Sequence, residues 1–173
     1  VPGLWYKDKD NKIKKNKPAV MFENLDTDLP GQAWNLLDLK KYKAHNWHTF
    51  DDLDSRHKYA SLQTSLGCPF KCTFCCINAP FERNTIRFWS PKHIIKEIKY
   101  LVENHSIYNI KIPDEMFVLN PKQVTGICDE IQKEGLGEKL NFWAYARIDT
   151  LNDDEMLKKM IKSGFKWLAL GIE

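Results

Sequence analysis

Residues 65–76 read SLGCPFKCTFCC, and the rest of the chain is best interpreted outward from this stretch. It holds four of the five cysteines in the sequence. Cys68, Cys72 and Cys75 follow the spacing C-x3-C-x2-C, so their thiolates can surround one small object. Clustering of this kind without a secretory signal indicates metal or redox chemistry in a reducing compartment, and not a disulfide framework.

The number of cysteines in this spacing bears on the kind of metal site. A structural zinc site normally uses four protein ligands in two paired C-x2-C knuckles, and a second pair is missing here. Cys76 directly follows Cys75 and is too close to ligate easily beside it, so we expect a buried neighbour and not a ligand. Iron–sulfur clusters suit thiolates and normally take four of them. Three cysteines would leave one iron open to bind something else.

From Lys58 onward, strand-like and helix-like segments alternate. Strands are expected at residues 59–65, 108–113, 141–147 and 167–172. Helices are expected to begin at Ser90, Asn120 and Asn152, each a capping residue followed by a proline or by an acid three positions on. This βαβαβαβ order predicts an α/β fold with about four parallel strands and right-handed crossovers. A doubly wound sheet and half of a βα barrel both satisfy it, and periodicity does not distinguish them.

Charged residues follow the strands at the edge where chemistry collects in parallel α/β folds. The cysteine segment follows the first strand, and Asp114 and Glu115 follow the second. Arg147 and Asp149 follow the third, and Glu173 the fourth. Packing alone does not readily explain this pattern, which predicts a functional site. Two structural alternatives stay open: the acids simply begin a loop, or Arg147 pairs with Asp149.

Residues 1–57 show no sustained period of 2 or 3.6 and contain repeated turn formers. An irregular linker, or the end of an upstream domain, is therefore expected before a domain at residues 58–173. Six lysines between Lys7 and Lys17 are interrupted by Asp8 and Asp10, which favours a solvated turn over a nucleic-acid patch. Four apolar residues are candidates to anchor this region to a core: Trp34, Leu36, Leu37 and Leu39.

Composition excludes some classes of protein. No run of eighteen apolar residues is present, so no membrane span is expected. The first residues lack the basic region and apolar core of a signal peptide, which favours a cytoplasmic location. The sequence has no initiator methionine, and its last residues read as a strand with nothing after it. Both ends look cut, so we expect a piece of a longer protein.

The cysteine segment resembles the signature of the radical S-adenosylmethionine superfamily, C-x3-C-x-aromatic-C, with Phe74 in the aromatic position. Other short stretches resemble the branch of that superfamily associated with cobalamin-binding domains, and together they cover nearly the whole chain. These stretches are GLWY at 3–6, NLD at 24–26, LPGQAW at 29–34, RFWSP at 87–91, DEMF at 114–117, ARID at 146–149 and GIE at 171–173.

The resemblance implies a partial βα barrel and a [4Fe–4S] cluster held by Cys68, Cys72 and Cys75. S-adenosylmethionine would chelate the open iron, and one electron would cleave it to methionine and a 5′-deoxyadenosyl radical that takes hydrogen from a substrate. Flavodoxin or ferredoxin is the implied electron donor. Cobalamin is implied for the parent protein, with residues 1–57 as the linker from its domain. The sequence does not define the substrate.

The resemblance also implies roles for individual residues. Phe74 would lie beside the adenine. Asp114 and Glu115 stand where many relatives have a Gly-Gly-Glu run that meets the methionine amino group, and this chain departs from that run. Arg147 would face the methionine carboxylate or a substrate anion. Glu173 would contact the ribose or the amino group.

Two other functions are consistent with these residues. The methylthiotransferase branch of the same superfamily has a similar cysteine loop. A binding module without catalysis, stabilised by zinc or by a cluster, is the alternative from another class.

The fifth cysteine, Cys128, falls on the apolar stripe of a predicted helix and is expected in the core.

Overall fold

The computed structural model describes residues 1–43, 57–79 and 83–172. Glu173, to which the sequence assigned a cofactor contact, lies outside the described residues. The strands are β1 (Trp5–Lys7), β2 (Ile13–Lys15), β3 (Tyr59–Ser61), β4 (Ser65–Gly67), β5 (Ile86–Phe88), β6 (Asn109–Ile112), β7 (Asn141–Arg147) and β8 (Phe165–Gly171). The helices are α1 (Leu25–Asp28), α2 (Pro91–His105), α3 (Pro121–Lys133) and α4 (Asp154–Lys162).

The central sheet has four parallel strands in the order β3-β6-β7-β8, which is also their order along the chain. Each connecting helix therefore moves the chain one strand in the same direction. With the right-handed crossovers that parallel units adopt, all three helices lie on one face of the sheet. A doubly wound sheet reverses direction and carries helices on both faces. The strand order thus favours the partial barrel, and the expected α/β fold is confirmed, with no closed barrel among the described residues.

Local capping signals explain where the helices begin. The Ser90 side chain accepts a hydrogen bond from the His93 N–H at 3.1 Å, with Pro91 as the first residue of α2. Asn120 caps α3 in the same way, before Pro121. The third predicted helix is α4, and it begins one residue later than the sequence predicted. Its cap is Asp153, which accepts from the Met156 N–H at 3.0 Å, so the expected cap at Asn152 is wrong.

One hydrophobic core fills the space between the helices and the sheet. Alternate residues of the strands point into it, and the apolar stripes of α2 and α3 meet them. Burial of each large aliphatic side chain contributes about 1.5–3 kcal/mol. Its fully buried members include Ile94, Ile98, Leu101, Ile110, Ile112, Ile127, Ile131 and Phe142.

The strand predicted at residues 59–65 is two short strands. β3 ends at Ser61, and β4 leaves the sheet and pairs antiparallel with β5. The break coincides with Thr64, whose N–H and hydroxyl both bond to the buried carboxylate of Asp114. At these two hydrogen bonds the chain turns away from β6. The β4–β5 ladder then brackets the segment that carries the cysteines.

The N-terminal region is more structured than an irregular linker. β1 and β2 form an antiparallel hairpin, and a strap at residues 22–34 lies along the start of α2. Asp26 accepts from the Ser90 N–H at 2.8 Å, and the Trp34 indole N–H donates to Glu97 at 2.7 Å. Trp34 and Leu39 are buried, as expected of anchors. Leu36 (79% exposed) and Leu37 are exposed, so that part of the anchor prediction is wrong.

No helix among the described residues is long and apolar enough to span a bilayer.

Candidate metal and cofactor site

The cysteine segment begins at a glycine that no other residue can replace without strain. Gly67, the last residue of β4, has φ +91°. A Cβ at this position would overlap the backbone carbonyl oxygen of Thr85, just before β5. Glycine is therefore required both for the backbone conformation and for the close approach of β4 to β5. This contact closes the base of the loop in which Cys68 follows at once.

The Asn78 side chain forms hydrogen bonds with two backbone positions of the cysteine loop. Its side-chain amide donates to the carbonyl oxygens of Cys68 at 2.8 Å and Phe70 at 3.2 Å. The Cys68 N–H donates back to Asn78 Oδ1 at 3.3 Å. Asn84 adds a bond to the Phe70 carbonyl at 3.1 Å. Neither asparagine could be predicted from the sequence, because their partners are backbone groups whose positions depend on the loop conformation.

Cys68, Cys72 and Cys75 line one cavity of about 330 Å³ at the carboxyl edge of the sheet. Cys68 is buried, Cys72 half-buried and Cys75 exposed. Burial raises the pKa of the Cys68 thiol, and the neighbouring Cys72, Cys75 and Glu115 raise it further. The backbone hydrogen bond at Phe70 opposes this shift. A raised pKa makes the thiolate that a metal requires harder to form.

The other two cysteines lie elsewhere. Cys76 is exposed and is not part of the cavity lining, so its expected burial is wrong; its role as a non-ligand stays a prediction. Cys128 is fully buried on α3, as predicted, and burial raises its pKa to about 11. Across residues 1–43, 57–79 and 83–172, no three His, Cys, Asp or Glu side chains converge on a point that a single metal ion would fill.

The two acids that follow β6 point in different directions. Glu115 lines the cavity. Asp114 does not; it is fully buried and accepts hydrogen bonds from the Thr64 N–H (2.8 Å), the Thr64 hydroxyl (2.6 Å) and the Ser65 hydroxyl (2.6 Å). Burial raises the Asp114 pKa to about 6, although these bonds oppose the shift. The structure thus brings Glu115, and not Asp114, to the cysteines.

Arg147 ends β7 at the cavity and makes two kinds of contact. Its guanidinium forms a bidentate pair with Asp149, at 3.0 and 2.7 Å. It also stacks over the Phe70 ring, with the guanidinium carbon 4.3 Å from the ring centroid. The structural pairing and the place in the cavity lining, weighed as alternatives on the sequence, therefore occur together.

Phe74 stands at the rim of the cavity with 74% of its surface exposed. An aromatic ring this exposed beside the cysteines offers a face on which a ligand ring can stack. The floor of the cavity is formed by small residues of β8, Ala169 and Gly171, which lie in register with Tyr145 and Arg147 of β7. Small side chains at these positions leave the space that the cavity occupies.

A model of the radical SAM superfamily matches residues 62–173, well over half of the chain. The chain belongs to the radical SAM superfamily. It is thus a member of a family of enzymes, and the resemblance stated from the sequence is confirmed.

The relatives of this radical SAM chain include proteins named methyltransferase or methylase and proteins named cyclase. An uncharacterised methyltransferase of Pyrococcus horikoshii is 30% identical over 173 residues, which cover all of this chain and 34% of that protein. An anaerobic magnesium-protoporphyrin IX monomethyl ester cyclase of Cereibacter sphaeroides is 29% identical over all of this chain and 26% of its own length. A hopanoid C-2 methylase of Rhodopseudomonas palustris is 27% identical over 69% of this chain and 23% of its own length. The radical SAM chain therefore spans about a quarter to a third of these relatives.

Proposed function

We propose that Cys68, Cys72 and Cys75 bind a [4Fe–4S] cluster and that the protein cleaves S-adenosylmethionine reductively. One observation carries the proposal: the three cysteines line a single cavity together with a carboxylate, Glu115, and a guanidinium, Arg147. S-adenosylmethionine carries an ammonium and a carboxylate on one carbon. A cavity that offers one group of each opposite charge beside a soft metal site matches this zwitterion.

The donor set suits a cluster better than a single ion. Three thiols are present, and no set of three candidate ligands in the described ranges converges as a zinc ion requires. A cubane cluster is several ångströms across, so its thiolates stand further apart than those around one ion. Three thiolates also leave one iron without a protein ligand.

The chain's own residues have separable tasks in this proposal. When bound, the cluster and S-adenosylmethionine supply a 5′-deoxyadenosyl radical. Glu115 would accept a hydrogen bond from the methionine ammonium, and Arg147 would face the methionine carboxylate. Phe70 and Asp149 hold the Arg147 guanidinium, which limits its rotamers before any ligand arrives. Phe74 would cover one face of the adenine and exclude water from it.

Methyl transfer is the reaction we propose, because the relatives include proteins named methyltransferase and methylase. Cobalamin as a second cofactor of the whole protein is part of the same proposal. The support in this chain is the resemblance of residues 3–6, 24–26 and 29–34 to the linker that follows the cobalamin-binding domain in the cobalamin-associated branch. We propose a flavodoxin or ferredoxin as reductant and the cytoplasm as location, consistent with five free cysteines.

The test is anaerobic reconstitution with iron and sulfide, followed by iron and acid-labile sulfide analysis. We expect about four irons and four sulfides per chain, with the broad visible absorbance of a cluster. Cys72→Ala should abolish this loading. Cys76→Ala is the matched control, since Cys76 lies four positions on but outside the cavity lining, and it should load normally.

Two results would contradict the proposal. A colourless protein with one stoichiometric zinc would favour the non-catalytic binding module. Equal iron content in Cys72→Ala and the unaltered chain would remove Cys72 from the ligand set. The methylthiotransferase alternative predicts sulfur insertion into the substrate, and a methylated product without added sulfur would contradict it.

A further inference from the structure

The face of the central sheet opposite the helices carries an unusual group of side chains. Strand alternation sends Phe142, Ala144 and Ala146 of β7 into the helix-covered core. Trp143, Tyr145 and Arg147 therefore point to the other face. Lys111 of β6 lies in register with Trp143, and Trp167 of β8 lies in register with it on the opposite side. We call Lys111, Trp143, Tyr145 and Trp167 the inner-face cluster.

The members of the inner-face cluster contact one another in a defined geometry. The rings of Trp143 and Tyr145 pack edge to face, with centroids 4.4 Å apart and an interplanar angle of 83°. The Lys111 ammonium lies 4.8 Å from the Trp143 centroid and 5.4 Å from the Tyr145 centroid. The two rings thus hold the cation in place on the sheet surface.

No described residue neutralises the Lys111 charge. Within the described part of the chain, no carboxylate lies within ion-pair distance of its ammonium and no acceptor forms a hydrogen bond with it. Other half-exposed lysines of the sheet-and-helix domain are paired, such as Lys99 with Glu134 and Lys159 with Asp129, both at 2.6 Å. A cation that aromatic rings hold in place, and whose donors meet no acceptor among the described residues, is suited to receive an anion.

The inner-face cluster is continuous with the cysteine cavity. Tyr145 belongs to both, because it lines the cavity on one side and contacts Trp143 and Lys111 on the other. Trp167 is 46% exposed, so an aromatic surface remains open beside the cation. A molecule lying on this face would place its atoms next to those of a ligand in the cavity.

We propose that the inner-face cluster binds the substrate, and that the substrate is an anion, such as a carboxylate, joined to a planar or apolar body. Lys111 is its counter-ion, and Tyr145 and Trp167, which are exposed, form the wall against which the body packs. Trp143 is buried beneath them and supports Tyr145 by their edge-to-face contact. This inference rests on the proposed function, because the cavity that the inner-face cluster adjoins is the one proposed to hold S-adenosylmethionine. The cavity of about 330 Å³ beside the inner-face cluster favours a small anionic molecule as the occupant over a protein partner.

The test uses 2-naphthoate and its neutral counterpart 2-naphthamide as probes, with binding measured by calorimetry on the cluster-free chain. We expect 2-naphthoate to bind at least about tenfold more tightly than 2-naphthamide. Lys111→Met should remove this preference, and Lys111→Arg should retain it. Lys122→Met, an exposed position at the start of α3, changes the net charge equally and should leave both affinities unaltered.

Three results would overturn the inference: equal affinity for acid and amide, an unaltered preference in Lys111→Met, or no detectable 2-naphthoate binding by the unaltered chain. Sedimentation in parallel adds a fourth, a dimer of this chain that excludes the probe from the face. Cys72→Ala separates this inference from the proposed function. It should lose the cluster but keep the 2-naphthoate preference, so failure of one proposal is distinguishable from failure of the other.

Discussion

Asn78 and Cys68 hold each other by a reciprocal pair of hydrogen bonds: the Asn78 amide donates to the Cys68 carbonyl at 2.8 Å, and the Cys68 N–H donates to Asn78 Oδ1 at 3.3 Å. Asn78 lies ten positions after Cys68, and both Cys72 and Cys75 lie between them. The pair therefore sets the size of the loop that presents the three thiols. A thiol ligand is useful only when its backbone is fixed, and here a neutral side chain fixes it.

Replacing Asn78 with Ala should weaken the site without removing a ligand. All three hydrogen bonds of the side chain are lost, so the loop samples conformations that separate Cys68 from the other cysteines. We expect reconstituted iron to be lost to a chelator about ten- to a hundredfold faster. Asn84→Ala removes one bond to Phe70 and is the matched control. Equal rates of iron loss in Asn78→Ala and the unaltered chain would contradict this role.

Gly67→Ala tests the closed base of the loop. The added Cβ meets the Thr85 carbonyl oxygen at a position that also has φ +91°, so both overlap and backbone strain oppose it. Gly135 also has a positive φ, +65°, but a Cβ added there would meet no other atom. Its replacement by Ala therefore measures the backbone strain without the overlap. We expect Gly135→Ala to lower the unfolding free energy by about 1 kcal/mol, and Gly67→Ala to lower it more and to reduce iron loading. The prediction would be contradicted if Gly67→Ala and Gly135→Ala lost similar unfolding free energy and both loaded iron fully. The site would then not depend on the close approach of β4 to β5.

The Asp114 carboxyl predicts a pH dependence of stability. Its pKa is raised from 3.8 to about 6 in the folded chain. Between these values the folded state binds the proton more strongly than the unfolded state, so stability falls as pH rises from about 4 to about 6. The full loss from this group is of order 3 kcal/mol. Asp114→Asn keeps an acceptor for the Thr64 N–H and should lack this component. The measurement is the urea unfolding free energy of both proteins from pH 4.5 to 7.5, and parallel curves would contradict the prediction.

The strap at residues 22–34 is tested through Trp34 and Glu97. The indole N–H of Trp34 donates to a carboxylate that is itself buried against α2. Trp34→Phe leaves that carboxylate short of a partner, and we expect a loss of about 2 kcal/mol in unfolding free energy. Leu36→Ala, two residues on and exposed, should stay within about 0.5 kcal/mol. A small effect of Trp34→Phe would mean that the strap is held by its other contacts.

Much of the fold could be predicted because its signals are local. The caps at Ser90 and Asn120 stand beside the residues they serve, and the strand at residues 141–147 alternates within itself. The direction of Asp114 could not be predicted, since its partners Thr64 and Ser65 lie about fifty residues away. The same holds for Asn78, whose partners are backbone groups. That Cys68, Cys72 and Cys75 lie at one cavity could be predicted, because spacing within a short loop is a local property; that they bind a metal stays a prediction.

The preference for a partial barrel over a doubly wound sheet needed the strand order. Both folds share the βαβ unit, and only the neighbour of each strand separates them. Leu36 and Trp34 illustrate the same limit in the N-terminal region. Their apolar character is similar, yet only the indole has a buried carboxylate to reach.

The central claim is that three cysteines leave one iron of a cluster open for S-adenosylmethionine. The most direct measurement is the EPR spectrum of the reduced, reconstituted chain, recorded with and without S-adenosylmethionine. We predict a reduced [4Fe–4S] signal whose g values change when S-adenosylmethionine is added. Adenosine, which lacks the methionine amino and carboxylate groups, should leave the g values unchanged. A cluster signal that S-adenosylmethionine leaves unchanged at saturating concentration would contradict the claim.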